Sequence, residues 1–244
     1  MKVEGAVALV TGANRGIGKA FAGELLGRGA AKVYAAVRDV GAVTDPRLEA
    51  VQLDVTDTAR LQELAAELGD VELLVNNAGV GSAALPLSSS LEDARRQLEV
   101  NYLGLVATTQ AFAPVLARNG GGAVVNVLSV ASWVSLPFLA TYNASKSAAW
   151  SWTNAARVEL KQQGTEVVGV HVGFVDTDMV AALEIDKVAP DAVAIAALDG
   201  LEAGEPEVLV DEFSRDVKAA LHDDLARLYP GIEAEFTAAA GARG

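Results

Sequence analysis

Apolar residues in this chain fall into short solid runs, separated by longer stretches in which they recur every three or four positions. Residues 6–11, Ala-Val-Ala-Leu-Val-Thr, form such a run and are bounded by glycine, the pattern of a strand buried on both sides. Residues 16–29 carry Ile17, Ala20, Phe21 and Leu25 at helical spacing. The alternation continues. Strands are expected over residues 32–38, 50–55, 71–75, 123–128, 166–172 and 207–210. Helices are expected from a Thr56-Asp57 cap to Leu68, over 91–118 with Pro114 as a bend, from Tyr142 to about Gly164, over 187–203, and from Phe213 onward. Solid apolar strands between helices predict an α/β, doubly wound parallel sheet, Rossmann-like, of about seven strands with helices on both faces. Residues 1–244 read as one domain, with a frayed tail from about Gly231.

Composition narrows the function classes. The net charge is −13 and no basic stripe appears, so the field repels nucleic acid. Any phosphate must therefore be held by local geometry. Cysteine is absent, which fits a reducing compartment and excludes thiolate metal sites. Neither His171, within an apolar strand, nor His222, in an acidic helix, belongs to a spaced His/Asp/Glu set, so no metal is expected. The N-terminus shows no secretory pattern, and no apolar run reaches the ~18 residues of a membrane span. The expected location is the cytoplasm.

The first strand empties into Thr11-Gly12-Ala13-Asn14-Arg15-Gly16-Ile17-Gly18 and then a helix. Glycines permit a sharp turn and close backbone approach to a pyrophosphate, and a helix N-terminus offers free N–H groups. A tight turn without a ligand uses the same residues, but the position after the first strand of an alternating chain favours a dinucleotide. At the end of the second strand, an acidic residue suits a ribose hydroxyl and arginine suits a 2′-phosphate. Arg38 follows Gly18 by 20 positions, and Val37 offers no carboxylate. With Arg15 as a second cation, the expected cofactor is NADP(H). Asp39 is the competing feature, since a small register shift brings it to the ribose.

Tyr142 and Lys146 are four apart and share a helix face. A nearby cation favours the phenolate, so Lys146 and the positive nicotinamide of the oxidised cofactor together predict a lowered tyrosine pKa and proton exchange near neutral pH. Ser129 closes the fifth strand, at the edge where ligands sit in open α/β sheets. Each of these residues also has an ordinary structural reading as a surface or turn residue.

Together, Thr11-Gly12-x-x-x-Gly16-Ile17-Gly18, Asp54, Asn76-Asn77-Ala78-Gly79, Asn101, Ser129 and Tyr142-x-x-x-Lys146 resemble the short-chain dehydrogenase/reductase family in order and spacing. The resemblance covers about the first 180 residues. It implies that Asp54, with Val55, meets the adenine, and that Asn77, Ala78 and Gly79 line the cofactor. Asn101 resembles the asparagine that bends a helix and holds a water in the proton relay. Ser129 looks like the substrate-oxygen binder, Tyr142 the acid/base, and Lys146 the pKa tuner and ribose ligand. Thr177 resembles the threonine that grips the carboxamide; Asn14 and Val175 complete the implied cofactor set. Family members commonly pair through two long helices, here near 98–117 and 145–160, which implies a homodimer or homotetramer.

Two departures stand out. The family's Pro-Gly after the sixth strand is Val172-Gly173, and the Gly-Gly-rich ending of members acting on carrier-protein thioesters is missing. Around Ser129 and Tyr142, the residues Ala131, Trp133, Met179, Val180, Leu183 and Ile185 outline an apolar substrate pocket. The expected activity is reduction of a ketone or aldehyde of hydrophobic character by NADPH, reversible as an alcohol dehydrogenase. A 3-oxoacyl-thioester reductase is the rival enzyme, and a non-catalytic NADP-binding regulatory protein is the rival from another class.

Overall fold

The structure, a computed structural model, describes residues 1–181 and 184–241. Leu183, expected beside the pocket, lies outside the described residues. Seven strands run in one sheet: β1 (Val7–Thr11), β2 (Lys32–Val37), β3 (Glu49–Gln52), β4 (Leu73–Asn76), β5 (Ala123–Val127), β6 (Glu166–His171) and β7 (Glu207–Leu209). All pairings are parallel, in the order β3-β2-β1-β4-β5-β6-β7. The order reverses between β1 and β4, which opens a crevice beyond their carboxyl ends.

Strand residues alternate between the two faces. Val10, Val33, Ala35, Val75, Val125 and Val170 pack under α1 (Gly16–Gly27) and, later in the chain, the helix Pro190–Ala203. Leu9, Tyr34, Leu74, Val124 and Val167 pack on the other face with α2 (Thr58–Glu67). Asp57, rather than Thr56, caps α2 by accepting from the Arg60 amide at 2.9 Å. Thr56 instead donates its hydroxyl to Asp54 at 2.8 Å.

The long helical run expected over 91–118 is three pieces: α3 (Leu91–Leu98), a π-helical turn (Glu99–Leu103) and α4 (Gly104–Arg118). The irregularity sits at Asn101, and α4 is helical through Pro114. Asn101 causes it by turning its amide out of the helix onto the backbone of Val80, accepting from Val80 N and donating to Val80 O, each at 2.8 Å. By length and composition, residues 91–118 are apolar enough to pass for a membrane crossing, a weak signal that core helices share. Half of that apolar window is buried, and Phe112, Val115 and Leu116 pack beneath the sheet, as a core helix does.

A buried polar ladder locks the helices that flank the site. Asn76 donates to Thr109 on α4 and to Asn126 on β5, both at 2.9 Å. Asn126 donates to Thr153 at 3.0 Å on α5 (Ala140–Leu160). These donors find acceptors where water is excluded, although Asn76 Oδ1 has no partner among the described residues, and the ladder ties α4 and α5 to the sheet.

Past β6, α6 (Pro190–Ala203) precedes β7. The last expected helix is instead α7 (Glu212–Ala220), α8 (Asp224–Arg227) and α9 (Tyr229–Gly241), with a 3-10 turn after α7. The tail from Gly231 was expected to fray but is helical to Gly241. Ile232 packs near Val130, Val134 and Val217, and the Tyr229 hydroxyl accepts from the Ser135 amide at 3.2 Å.

Candidate active site

One cleft of about 1460 Å³ lies along the carboxyl ends of the strands. At one end is the turn after β1. Gly12 and Gly16 have φ of +69° and +51°, which only glycine adopts without strain. A Cβ on Gly18 would collide with the Gly12 carbonyl and the Asn77 amide. Gly18 therefore packs beneath the turn and does not line the cleft, while Gly12, Asn14, Arg15, Gly16 and Ile17 do. The N-cap of α1, Arg15, makes no side-chain bond to the first-turn N–H groups. Free donors at a helix N-terminus, with close backbone approach, fit a pyrophosphate.

Thr11, which opens the glycine turn, has a role that the motif does not spell out. Its hydroxyl accepts from the Asn77 and Ala78 amides at 3.0 Å, and Asn77 Nδ2 returns a bond to Thr11 O at 2.9 Å. These bonds clamp the glycine turn to the loop after β4. A β-branched hydroxyl at the end of the first strand was the available signal.

Arg38 stands exposed where β2 meets the cleft. Its charge helps to hold the Asp54 carboxyl below the ordinary range, after the larger effect of the Thr56 amide. Asp54 and Val55 line the cleft beside it. Asp39 is turned to local work, accepting from the Gly41 amide at 2.9 Å. Arg15 lines the same cleft and makes an exposed pair with Asp178 at 2.6 Å. Ala78, Gly79, Val175 and Thr177 line the same cleft, and the Thr177 methyl abuts Gly16.

At the other end stand Ser129, Tyr142 and Lys146. Lys146 is buried on α5 and donates to the Val127 carbonyl at 2.9 Å. Burial lowers its pKa to about 8. Tyr142 keeps partial exposure to the cleft, yet desolvation pushes its pKa up to about 12, against a smaller downward pull from Ser129. The lowered tyrosine pKa expected from the Lys146 charge is thus reversed: the ammonium is 5.8 Å from the ring centroid, and removal of water outweighs it. Ser129 Oγ accepts from the Ala131 amide at 3.1 Å and reaches Val172 O at 3.4 Å.

Asn101 is buried and its side chain does not reach the cleft; beyond Val80 it donates to Ser145 at 2.9 Å. It acts on the site by tying the loop after β4 to α5.

The apolar wall contains Ala131, Met179 and Val180 as expected, with Val80, Leu136, Phe138 and Phe174. Gly81 comes so close to Met179 and Tyr142 that a Cβ there would lie 3.1 Å from Met179 Sδ. Val80 and Gly81, from the loop after Asn77-Ala78-Gly79, join the lining without a sequence motif to mark them. Trp133 and Ile185 are not part of the lining. Trp133 turns inward and stacks on His171 at 3.7 Å between ring centroids, because an indole gains more from packing there than from the open cleft.

A doubly wound sheet with a glycine turn at its switch point and a Ser/Tyr/Lys set beside it defines a nucleotide-dependent oxidoreductase. The family model for short chain dehydrogenases matches residues 6–187. The chain belongs to the short-chain dehydrogenase/reductase family. A short-chain dehydrogenase from Burkholderia cenocepacia J2315, solved in complex with NADP, is 38% identical, with a TM-score of 0.91 over 95% of this chain and 99% of that one. The 3-oxoacyl-acyl-carrier-protein reductase FabG of Escherichia coli (strain K12) is 32% identical over 196 residues, 77% of this chain and 80% of that protein. The NADPH-dependent 1-acyldihydroxyacetone phosphate reductase of Schizosaccharomyces pombe is 35% identical over 178 residues, 69% of this chain and 60% of that protein.

Proposed function

We propose that this protein is an NADPH-dependent carbonyl reductase, reversible as an alcohol dehydrogenase, acting on a ketone or aldehyde of hydrophobic character. The observation that carries the reading is Ser129, Tyr142 and Lys146 together on one cleft whose wall is apolar. Bound NADPH supplies the hydride. Ser129 orients the substrate oxygen, and Tyr142 gives it a proton. Lys146, whose pKa near 8 makes its proton exchangeable near neutral pH, replenishes Tyr142. Arg38 favours the 2′-phosphate, and the NADP-bound relative supports that choice. The test follows NADPH absorbance across a panel of ketones and aldehydes, with NADH in parallel. Turnover of apolar carbonyls with NADPH supports the reading; a clear NADH preference removes the cofactor assignment.

Reduction of a 3-oxoacyl thioester is the second reading, favoured by the 32% identity to the acyl-carrier-protein reductase. Activity on thioesters without activity on free ketones would select it. Tight NADPH binding with no oxidation across the panel would select a regulatory protein. We read the chain as one cytoplasmic domain, in keeping with its lack of cysteine. We also read it as a homodimer or homotetramer joined through α4 and α5.

A further inference from the structure

Behind Ser129, away from the cleft, lies a buried histidine that the proposed chemistry does not use. His171 ends β6 and is fully buried. Its Nδ1 is 3.0 Å from the Ser129 carbonyl oxygen. A carbonyl only accepts, so Nδ1 carries the proton and donates. The same carbonyl accepts from the Ser132 amide at 3.0 Å. Just past the end of β6, Val172 O accepts from the Val130 amide at 3.0 Å and lies 3.4 Å from Ser129 Oγ. β6 thus holds the turn after β5 from both sides of the Ser129 hydroxyl.

The imidazole is itself fixed. Its ring lies 17° from parallel to the Trp133 indole. Trp133 meets Trp150 edge-on at 6.2 Å, and the Lys218 ammonium stands 4.6 Å from the Trp133 ring. Nε2 has no hydrogen-bond partner and is 3.7 Å from Glu207, whose carboxylate is taken by Lys218 at 2.8 Å. Burial pushes the His171 pKa down to about 3, with the nearby Lys218, Lys146 and Arg157 charges adding to it. The ring is neutral across the working range, a permanent donor rather than an acid.

We propose that His171 is a positioning residue for carbonyl reduction: held flat against Trp133, its Nδ1–H fixes the Ser129 carbonyl and so aims the Ser129 hydroxyl at the substrate oxygen. The proposal rests on the reading of Ser129 as the substrate-oxygen partner. A hydroxyl is effective only within a narrow range of distance and angle, so losing one restraint on its backbone lowers kcat rather than cofactor affinity.

The test compares Ser129→Ala, His171→Phe, His171→Asn and the double variant Ser129→Ala/His171→Phe, measuring kcat, KM, NADPH affinity and thermal midpoint. Phenylalanine keeps the stack and removes the donor; asparagine places an amide N–H near the position of Nδ1. His171→Phe is expected to lower kcat roughly tenfold or more with NADPH affinity unchanged, the scale set by one positioned hydrogen bond. His171→Asn is expected to recover most of that loss. In the Ser129→Ala background, His171→Phe should cost nothing further in kcat, because two residues acting through one group are not additive. An equal loss in both backgrounds, or wild-type kcat in His171→Phe, overturns the proposal. Full activity of Ser129→Ala instead overturns the reading of Ser129, which separates the two failures.

Discussion

Lys146 and Tyr142 share one face of α5, with the ammonium 5.8 Å from the phenol ring centroid, and one of the ammonium's three N–H groups donates to the Val127 carbonyl. The lysine is thereby anchored to β5, and its pKa near 8 reflects burial rather than the tyrosine. If Lys146 feeds protons to Tyr142, carbonyl reduction declines as pH rises through about 8, where the lysine loses its proton. Lys146→Met should lower turnover by about a hundredfold and flatten that limb of the pH–rate profile. A profile unchanged in Lys146→Met would refute the relay. Tyr142→Phe should abolish turnover while NADPH still binds, measured by nucleotide titration.

Arg38 stands on the cleft at the end of β2, where a cation suits a 2′-phosphate, while Arg15 is paired with Asp178. Arg38→Ala should raise KM for NADPH about tenfold or more and leave KM for NADH nearly unchanged, the scale of one charged hydrogen bond. Arg15→Ala should change it less, since an exposed pair such as Arg15–Asp178 contributes about 0–1 kcal/mol. Equal effects of the two substitutions would contradict this division.

Gly18 is where the turn has no room. Gly18→Ala places a methyl against the Gly12 carbonyl and Asn77 amide. A backbone shift on the order of 1–3 kcal/mol follows, seen as a lower thermal midpoint together with weaker NADPH binding. Gly23→Ala, a substitution with no atom within 4 Å of the added carbon, is the control and should be neutral or slightly stabilising.

His171 also marks the acid side of stability. Its pKa is about 3 in the fold against an ordinary 6.5, so between these values the unfolded chain binds more protons than the folded one. Its contribution is complete above about pH 6.5 and is lost as pH falls toward 3. The thermal midpoint of wild-type protein should therefore fall more steeply between pH 6.5 and 4.5 than that of His171→Phe. Parallel curves would show that the histidine is not held neutral.

The strands, their parallel sense and the glycine turn were legible in the sequence, because solid valine-rich runs and glycine spacing are local signals. Ser129, Tyr142 and Lys146 meet on one cleft as their spacing implied. Less legible was anything that depends on which way a side chain turns. Trp133 carried the same apolar signal as Leu136 and Phe138, but it faces His171 while they face the cleft. The resemblance implied a bend at Asn101, but the partner that makes it a clasp, the Val80 backbone, shows only in the fold.

Sequence by itself determined the class of fold, the glycine turn after β1 and the pairing of Tyr142 with Lys146 on one helix face, since each is written in residues a few positions apart. Tertiary structure decided the protonation balance at the site. The direction of the Tyr142 shift comes from the protein packed around the phenol, with Ser129 opposing it, and these surroundings converge from distant parts of the chain. Desolvation is a property of surroundings rather than of neighbours in sequence, and so the charge state of Tyr142 and Lys146 appears only once the chain is folded.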